Sequence, residues 1–393
     1  MVDSGPASIA QTRYSPDNYL YVSVNVCQPG TTTCVTVDHV QVSTATVGLR
    51  VLQSALTGIT LTPEPDPATS GNTLAECYQL QQGTAWGGVA TADVQISGET
   101  AASVPIQIIA TPAATPNATT CPSNGFIRGD IAQGVQQLGA NGVIGLAPLA
   151  QDCTGQGCTN QYFTCHTNPG GSVNCQSNVA AAPPATAQVA NPVTMFATDK
   201  NGVIITLPAV DPAAGAASGV QGTITFGIGT QSNNAYNVAA TALASDPATT
   251  AVSTSYTSQK AGSSAVSYTS WFDTAGVAYF FTDSGIPMCT SSGLTTFYCP
   301  TQPLTLQANV GGAGGVGGPV TVNFTVANAE TLNSANPNSI VFSSLGATPP
   351  AVYGANAFVW GLPFFFGRTV FIAYPGATIT GNAGPLNGPF YAF

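Results

Sequence analysis

The chain of 393 residues is 44% apolar and only 6% charged, far below the roughly 25% of charged residues in ordinary soluble domains. Its length allows two domains or one large unit with two lobes, and its apolar content is enough for a substantial core. The net charge of −10, from 16 acids against 6 bases, leaves no basic patch for phosphates, which excludes nucleic acid as a partner and disfavours anionic membrane surfaces.

The N-terminal half reads as short strands joined by turns. Residues 19–26 alternate between apolar and polar, and a turn at 28–30 leads back into residues 35–42, which predicts a β-hairpin. The returning strand runs into a turn of small residues, and residues 47–52 leave that turn as another strand. The turn consists of Ser43, Thr44, Ala45 and Thr46.

The next segments continue this pattern. Residues 77–88 predict a second hairpin with a glycine-containing tip, and residues 104–109 predict a strand. The best short helical pattern covers residues 130–138. A short buried strand closed by glycines is predicted at 139–148, and a loop rich in Cys, Gly and Asn follows at 151–176.

The composition shifts near residues 183–192, where the second half opens. Its main predicted strands lie at 203–207, 222–226, 252–256, 264–271 and 320–326. The fourth of them ends in a turn that nearly copies the first one, with Asp273, Thr274, Ala275 and Gly276. Each half therefore has a strand, a small-residue turn, a strand and a later apolar segment with glycine. This order indicates an internal duplication, with an N-terminal lobe at 1–192 and a C-terminal lobe at 193–393.

The ten cysteines favour disulfides over zinc, because no C-x-x-C pair is present and only one histidine, His166, lies among them. Many are close in sequence, which suits bridges across hairpins. Our predicted pairs are Cys27–Cys34, Cys77–Cys121, Cys153–Cys158, Cys165–Cys175 and Cys289–Cys299. Bridges place the protein in an oxidising compartment, so it is expected to be secreted, periplasmic or at the cell surface. The start of the chain lacks the apolar core of a signal peptide, and we expect a removed leader.

From about Tyr19 to Phe393 the layout resembles the pepsin-like aspartic peptidases. Residues 19–52 resemble the hairpin that leads into that family's Asp-Thr-Gly-Ser turn, and residues 78–98 resemble its flap. The most specific match is Asn-Gly-Val-Ile-Gly-Leu-Ala at 141–147; Gly-Thr-Ile-Thr-Phe at 222–226 and Trp-Gly-Leu-Pro-Phe-Phe at 360–365 add further matches. The chain also looks like a bacterial secreted family of unknown function with a pepsin-like core. The resemblance implies a mainly β, bilobal, double-ψ β-barrel fold with few short helices.

The departures from the family bear on activity. Aspartic peptidases use two carboxylates about 3 Å apart that share a proton and activate water. Here the second position keeps Asp273, but the first has Ser43, which cannot act as a base. Ala45 and Ala275 replace the glycines of the two turns, and their methyls are expected to crowd the backbone N–H groups. Thr44 and Thr274 are kept, and in the family these threonines brace the turns against each other.

Several residues outside the two catalytic-type positions are further candidates for the site. By resemblance, Tyr78, Gly83 and Trp86 of the flap, together with the two alanines of the turns, are candidates for substrate binding. Trp86 serves equally well as hairpin packing. His39 lies four residues from Ser43 on one strand, about 13 Å at ~3.3 Å per residue, which rules out a nucleophile–base pair. We find no cluster at metal-ligand spacing and expect neither metal nor cofactor.

Three functions follow from this comparison. The first is a secreted, catalytically inactive pepsin-like protein that binds an extended peptide or protein segment in its interlobe cleft, where Asp273 is a structural acid. The second is a working acid endopeptidase, or an active parent whose catalytic turns were altered. The third is a surface module whose cleft is filled by its own side chains. We expect no membrane span and a monomer.

Overall fold

The computed structural model describes residues 1–7, 9, 18–110, 121, 126–127, 134–153, 158, 160–177, 182–237, 239–381 and 384–393. Within these residues the chain is mainly β, as predicted. The only α-helices there are short: α1 (Gly134–Leu138), α2 (Ala329–Ala335) and α3 (Leu362–Phe365). The helix predicted at 130–138 is present as α1, and residues 130–133 lie outside the described residues.

Helix α2 was missed by the sequence analysis, although its start carries a local signal. The side chain of Asn328 accepts a hydrogen bond from the backbone N–H of Thr331, and Glu330 lies in the first turn. Both are features of a capped helix N-terminus.

The N-terminal half forms one large sheet. Its strands are β1 (Val2–Asp3), β2 (Tyr19–Cys27), β3 (Cys34–Ser43), β4 (Val47–Leu52), β5 (Thr62–Pro63), β6 (Thr73–Leu80), β7 (Gly83–Ile96), β8 (Glu99–Ile109), β9 (Phe126–Ile127), β10 (Gly142–Leu146), β11 (Tyr162–Thr167) and β12 (Val173–Ser177). The order of the sheet is β1-β2-β3-β10-β4-β8-β7-β6-β11-β12, with β5 and β9 beside β7. Strand β2 also pairs with β7, so this sheet folds back on itself in the manner of a barrel.

The C-terminal half forms three smaller sheets. Its strands are β13 (Gly202–Thr206), β14 (Thr223–Phe226), β15 (Ala242–Ala244), β16 (Val252–Thr257), β17 (Ala265–Phe272), β18 (Tyr279–Phe280), β19 (Leu304–Gly311), β20 (Val320–Val326), β21 (Gly346–Ala347), β22 (Ala357–Trp360), β23 (Thr369–Ala373), β24 (Thr378–Gly381), β25 (Gly384–Asn387) and β26 (Phe390–Ala392). The sheet orders are β20-β19-β16-β17-β22-β18-β21, β14-β13-β23-β26-β15 and β24-β25.

The two halves repeat one local topology around the two key turns. In the first half β10 lies between β3 and β4, parallel to β3 and antiparallel to β4. In the second half β22 lies between β17 and β18 with the same two directions. The inserted strands require glycine beside each turn. A Cβ on Gly145 would lie 2.4 Å from the carbonyl carbon of Thr46, and one on Gly361 would lie 2.1 Å from the carbonyl oxygen of Ala278.

Almost all strand pairing takes place within one half of the chain or the other. Among the described residues, strands up to Ser177 pair with one another, strands from Gly202 onward do the same, and one isolated bridge joins Val2 to Val220. A boundary near residue 192 fits this pattern and stays a prediction. One apolar core cluster nevertheless includes residues of both halves, such as Val42 and Phe272 at the two turns. Packing therefore holds the two turns against each other.

All five predicted disulfides are confirmed: Cys27–Cys34, Cys77–Cys121, Cys153–Cys158, Cys165–Cys175 and Cys289–Cys299. Two of them cross-link paired neighbours in antiparallel hairpins, which is why local spacing was enough to predict them: Cys27 pairs with Cys34 across β2 and β3, and Cys165 with Cys175 across β11 and β12. No helix in the described part of the chain is long and apolar enough to cross a membrane.

Candidate functional site

The two small-residue turns meet face to face and are braced by their threonines. The hydroxyl of Thr44 donates to the carbonyl oxygen of Phe272 at 2.7 Å, and that of Thr274 donates to the carbonyl oxygen of Val42 at 2.6 Å. The backbone N–H of Thr274 also donates to the Thr44 hydroxyl at 3.1 Å. All of these groups are buried. The brace therefore fixes the position of the residues that precede each threonine, Ser43 and Asp273.

Ser43 and Asp273 are in direct contact at the centre of the site. The Ser43 hydroxyl donates to Oδ1 of Asp273 at 2.9 Å, and each residue is only 1% exposed. The Ser43 oxygen accepts hydrogen bonds from the backbone N–H groups of Ala45 at 3.3 Å and Thr46 at 3.1 Å. Oδ1 of Asp273 accepts the N–H of Ala275 at 3.0 Å. In both turns the side-chain oxygen accepts the N–H of the residue two positions later, and the serine oxygen accepts one further N–H, from Thr46.

The alanines do not disturb these contacts, contrary to the crowding expected from the sequence. The N–H groups of both Ala45 and Ala275 reach the side chain two residues before them. Their methyls line the space between the turns and the flap instead. The direction of each methyl is set by the backbone conformation of its turn, and in both turns it leaves the residue's own N–H able to donate.

The second oxygen of Asp273 is covered by two side chains that the sequence analysis did not single out. Oδ2 accepts a hydrogen bond from the hydroxyl of Tyr353 and another, at 3.3 Å, from the amide of Gln81. The Gln81 amide also donates to the Tyr353 oxygen at 2.6 Å. Burial, together with the adjacent Asp273 carboxylate, raises the pKa of Tyr353 well above its usual value. The tyrosine therefore stays a neutral hydrogen-bond donor to this carboxylate.

Gln81 comes from the tip of the hairpin formed by β6 and β7, the segment that resembles a flap. Leu80 pairs with Gly83, so Gln81 and Gln82 are the two tip residues. Gly83 has a φ of 143°, a conformation that favours glycine, at the point where β7 begins. Tyr353 comes from a short 3-10 helix, Ala351–Tyr353, in the other half of the chain. The flap tip is thus bridged to the C-terminal half directly over Asp273.

The other flap candidates lie in different places. Tyr78 lines the space under the flap, and its ring stacks on the guanidinium of Arg50, 3.4 Å from the ring centroid. Trp86 lies farther along β7, is 1% exposed and packs edge-on against Phe163. Trp86 does not line the cleft. Its position therefore fits hairpin packing, not substrate binding.

A cavity of about 210 Å³ remains between the turns and the flap. Its lining includes Ser43, Asp273, Gln81 and Tyr353, together with apolar side chains such as Leu80 and Val143. A larger cavity of about 420 Å³ lies elsewhere, between β1–β3 and β14, and includes neither of the two turns.

A buried ionic cluster supports the flap from below. Arg50 donates to Glu76 at 2.7 Å and to Asp152 at 2.5 Å, and all three side chains are fully buried. Tyr162 donates a further hydrogen bond to Asp152 at 2.8 Å. Burial and the neighbouring Glu76 raise the pKa of Asp152 well above its usual value, although Arg50 opposes this. One guanidinium cannot neutralise two desolvated carboxylates, so the cluster favours holding a proton.

The two histidines lie away from the turns. Nδ1 of His39 is 2.8 Å from Oδ2 of Asp38, and its ring packs edge-on against Tyr21 beside the larger cavity. His166 is exposed on β11 and contacts Asn72. Among the described residues, the one group of potential metal ligands close enough to share an ion is Cys289, Cys299 and Glu330. Both of these cysteines are in a disulfide and have no thiolate to offer.

Comparison with known proteins places the chain in a family. The family profile described as "Protein of unknown function (DUF3443)" matches residues 1–393. The chain belongs to the DUF3443 family. No curated protein matches this DUF3443 chain. Among solved structures, the crystal structure of aspartic proteinase from Irpex lacteus is similar, with a TM-score of 0.50 and 14% identity over 95% of this chain and 93% of that one.

At this identity the likeness shows the fold alone, and it confirms the predicted bilobal, pepsin-like β-barrel architecture of the DUF3443 protein. Three residues that line the cavity between the turns and the flap were not singled out by the sequence analysis: Gln41, Gln81 and Tyr353. Gln41 carried a signal, because the period of two along β3 places it on the same face as Ser43. Gln81 carried a weaker one as half of the Gln-Gln tip of a predicted hairpin. Tyr353 carried none, since nothing near it in sequence points to Asp273.

Proposed function

We propose that this DUF3443 protein is a secreted, monomeric, bacterial pepsin-like protein without aspartic peptidase activity, which binds an extended peptide segment in its interlobe cleft. The observation that carries the proposal is the serine at the first catalytic position, hydrogen-bonded to Asp273 at 2.9 Å. The five disulfides support an oxidising, extracytoplasmic location. The two lobes are proposed to divide at residue 192.

The chemistry of the pair supports inactivity. Water attack in this fold requires one carboxylate as base and a second carboxyl group as proton donor. A serine hydroxyl does not ionise in the acid range, so Asp273 has no carboxyl partner. Ser43 is also poorly placed as a nucleophile, because its hydrogen is donated to Asp273 and its oxygen accepts two backbone N–H groups.

Peptide binding is supported by the cavity under the flap and by the hairpin edge beside it. An extended segment can add to such an edge through backbone hydrogen bonds and place its side chains in neighbouring pockets. Binding of this kind requires the flap tip to leave Asp273, because Gln81 and Tyr353 close the space above the carboxylate.

The same closure favours a second candidate, a surface module whose cleft is occupied by its own side chains. In that case the bridge from Gln81 to Tyr353 is a permanent joint between the halves, and no peptide enters. Peptide binding by the Tyr353→Phe variant separates the two candidates. If the flap can move, removing this hydroxyl should let it open and peptide should bind. If the bridge is a permanent joint, the variant should still bind no peptide.

The test of inactivity is cleavage of unfolded protein and of a quenched fluorescent peptide library at pH 3–5, with a pepsin as positive control. We expect no turnover above the buffer background. Turnover that pepstatin inhibits, and that Asp273→Asn abolishes, would establish the alternative, an acid endopeptidase that works without the first carboxylate. An active parent with altered turns predicts close relatives with Asp at position 43.

A further inference from the structure

Gln41 is a fully buried glutamine at the edge of the cleft cavity. It lies on β3 two residues before Ser43 and is 0% exposed. Its Oε1 accepts a hydrogen bond from the amide of Gln82 at 3.1 Å, while its Nε2 has no hydrogen-bond partner. Gln41 and Gln82 both line the cavity of about 210 Å³.

A buried amide group without a partner is destabilising, because it loses its hydrogen bonds to water and gains none in return. A second polar atom of the same cavity is in the same state: Oγ1 of Thr46 is buried and has no partner. Two unpartnered polar atoms on one small cavity are the pattern expected where a ligand supplies the missing hydrogen bonds.

We propose that this cavity is a subsite for a neutral carboxamide side chain, Asn or Gln, of the bound peptide, with Gln41 as the residue that determines specificity. The inference rests on the proposed peptide-binding function and names the chemistry of the segment that binds. The methylenes of the ligand side chain would pack against Leu80 and Val143, and its amide would pair with Gln41.

The choice of an amide as the ligand group follows from the hydrogen-bonding atoms that the cavity leaves without partners. A glutamine side chain has one donor and one acceptor end, and the contact with Gln82 uses one of them in either orientation of the two amides. The free Nε2 of Gln41 needs an acceptor and the free Oγ1 of Thr46 can accept a hydrogen bond, so a carboxamide, with one carbonyl oxygen and one NH2 group, can satisfy both. An apolar side chain of the same size would leave Gln41 unpaired, and that is the arrangement that gives strong discrimination.

Charged side chains fit less well. No Lys, Arg or His lines this cavity to neutralise a carboxylate, and Asp273 lies at its floor. Asp273 itself already receives hydrogen bonds from Ser43, Ala275, Gln81 and Tyr353. A cationic side chain would have to displace those donors to reach it. A neutral amide has no charge that Asp273 must balance, so the hydrogen bonds from Ser43 and Ala275 stay in place when it binds.

The test uses acetylated hexapeptide pools in which one position is fixed as Gln, Asn, Met or Leu and the others vary among Ala, Val, Leu and Phe. Binding of each pool to the full chain is measured in wild type, Gln41→Leu and Gln307→Leu. Gln307 is a matched control, an exposed glutamine on β19 that contacts Asn323. We expect wild type and Gln307→Leu to prefer the Gln or Asn pool at least about tenfold at one position, equivalent to about 1.4 kcal/mol. We expect Gln41→Leu to prefer Leu or Met there.

The outcomes separate the two proposals. If no pool binds to wild type or to Tyr353→Phe, the peptide-binding function fails and the subsite fails with it. If pools bind but wild type prefers Leu or Met, or shows no preference, the subsite alone is overturned. A merely structural role for Gln41 would lower the melting temperature of Gln41→Leu and weaken all pools equally, which also overturns the inference.

Discussion

The hydroxyl of Ser43 donates a 2.9 Å hydrogen bond to Oδ1 of Asp273, a residue 230 positions away in the chain. In this arrangement one oxygen of a carboxyl group is replaced by a hydroxyl oxygen that keeps the backbone contacts of its turn. The repulsion between two close carboxylates is absent, and with it the shared proton that drives water attack. Of the two facing side chains, only Asp273 is therefore ionisable in the acid range.

Restoring the missing carboxylate tests whether the closed flap is a further obstacle. We expect Ser43→Asp alone to give little peptidase activity at pH 3–5, because Tyr353 and Gln81 still cover Asp273. Ser43→Asp combined with Tyr353→Phe should be at least about tenfold more active, as one hydrogen bond to a charged group is worth roughly 1.5–3 kcal/mol. The measurement is cleavage of a quenched peptide library.

Ser43→Asn is the control for that series, because asparagine is similar in size to aspartate but has no carboxylate. Adding Ala45→Gly and Ala275→Gly should contribute little, since both alanine N–H groups already donate. Full activity from Ser43→Asp alone would show that the flap opens freely and would contradict the prediction.

Removing the threonine hydroxyls should destabilise the junction of the two turns. Thr44→Val and Thr274→Val each leave a buried carbonyl oxygen without its donor, and each should lower the free energy of unfolding by about 1–3 kcal/mol. Because Thr274 also donates its N–H to Thr44, the double variant should lose less than the sum of the singles. Urea unfolding measures all three, with the exposed Thr36→Val as control. Strictly additive losses would mean that the two threonines do not act as a unit.

Loss of the Tyr353 hydroxyl should loosen the flap tip without unfolding the protein. In Tyr353→Phe, backbone amides of residues 79–84 should exchange with deuterium about tenfold faster than in wild type, because a hydrogen bond to Asp273 is lost. Tyr236→Phe removes a hydroxyl that donates to the carbonyl of Ala240 and serves as the control. Equal exchange in all three proteins would show that the bridge over Asp273 does not hold the flap.

The buried cluster under the flap should make stability depend on pH. Burial and Glu76 raise the folded-state pKa of Asp152, so its contribution to stability is present in full below the ordinary carboxyl pKa and is lost as pH rises through the window above it. The Asp152→Asn variant has no titratable carboxyl group at this position. Between pH 4 and 8 the free energy of unfolding of wild type should fall relative to this variant.

Asp246→Asn provides a control of opposite sign. Hydrogen bonds from Thr249 lower the pKa of Asp246, so its contribution is present above the ordinary carboxyl pKa and is lost as pH falls through the folded value. The difference in free energy of unfolding between wild type and Asp246→Asn should therefore be constant from pH 5 to 8 and become smaller only below pH 4. A wild-type stability that tracks Asp152→Asn at every pH would contradict the proposed proton in the cluster.

Local patterns were enough to predict much of the fold. Alternation along β2, β3 and β20 and the turn residues between strands placed most of the strands, because these signals depend on neighbours in sequence. Two of the disulfides followed for the same reason, since the bridged cysteines of β2–β3 and of β11–β12 lie across a hairpin turn. The crowding expected at Ala45 and Ala275 was wrong, because the direction of each methyl relative to its own N–H depends on backbone geometry that residue identity does not reveal.

The sequence by itself determined that two similar small-residue turns are present, one starting at Ser43 and the other at Asp273, since this depends only on residue identity and order. Only the tertiary structure decided what surrounds the remaining acid. Gln81 lies 192 residues from Asp273 and Tyr353 lies 80 residues from it, yet both donate to the same carboxylate oxygen. Hydrogen bonds of this kind act over about 3 Å in space whatever the separation along the chain, so no pattern of sequence neighbours can indicate them.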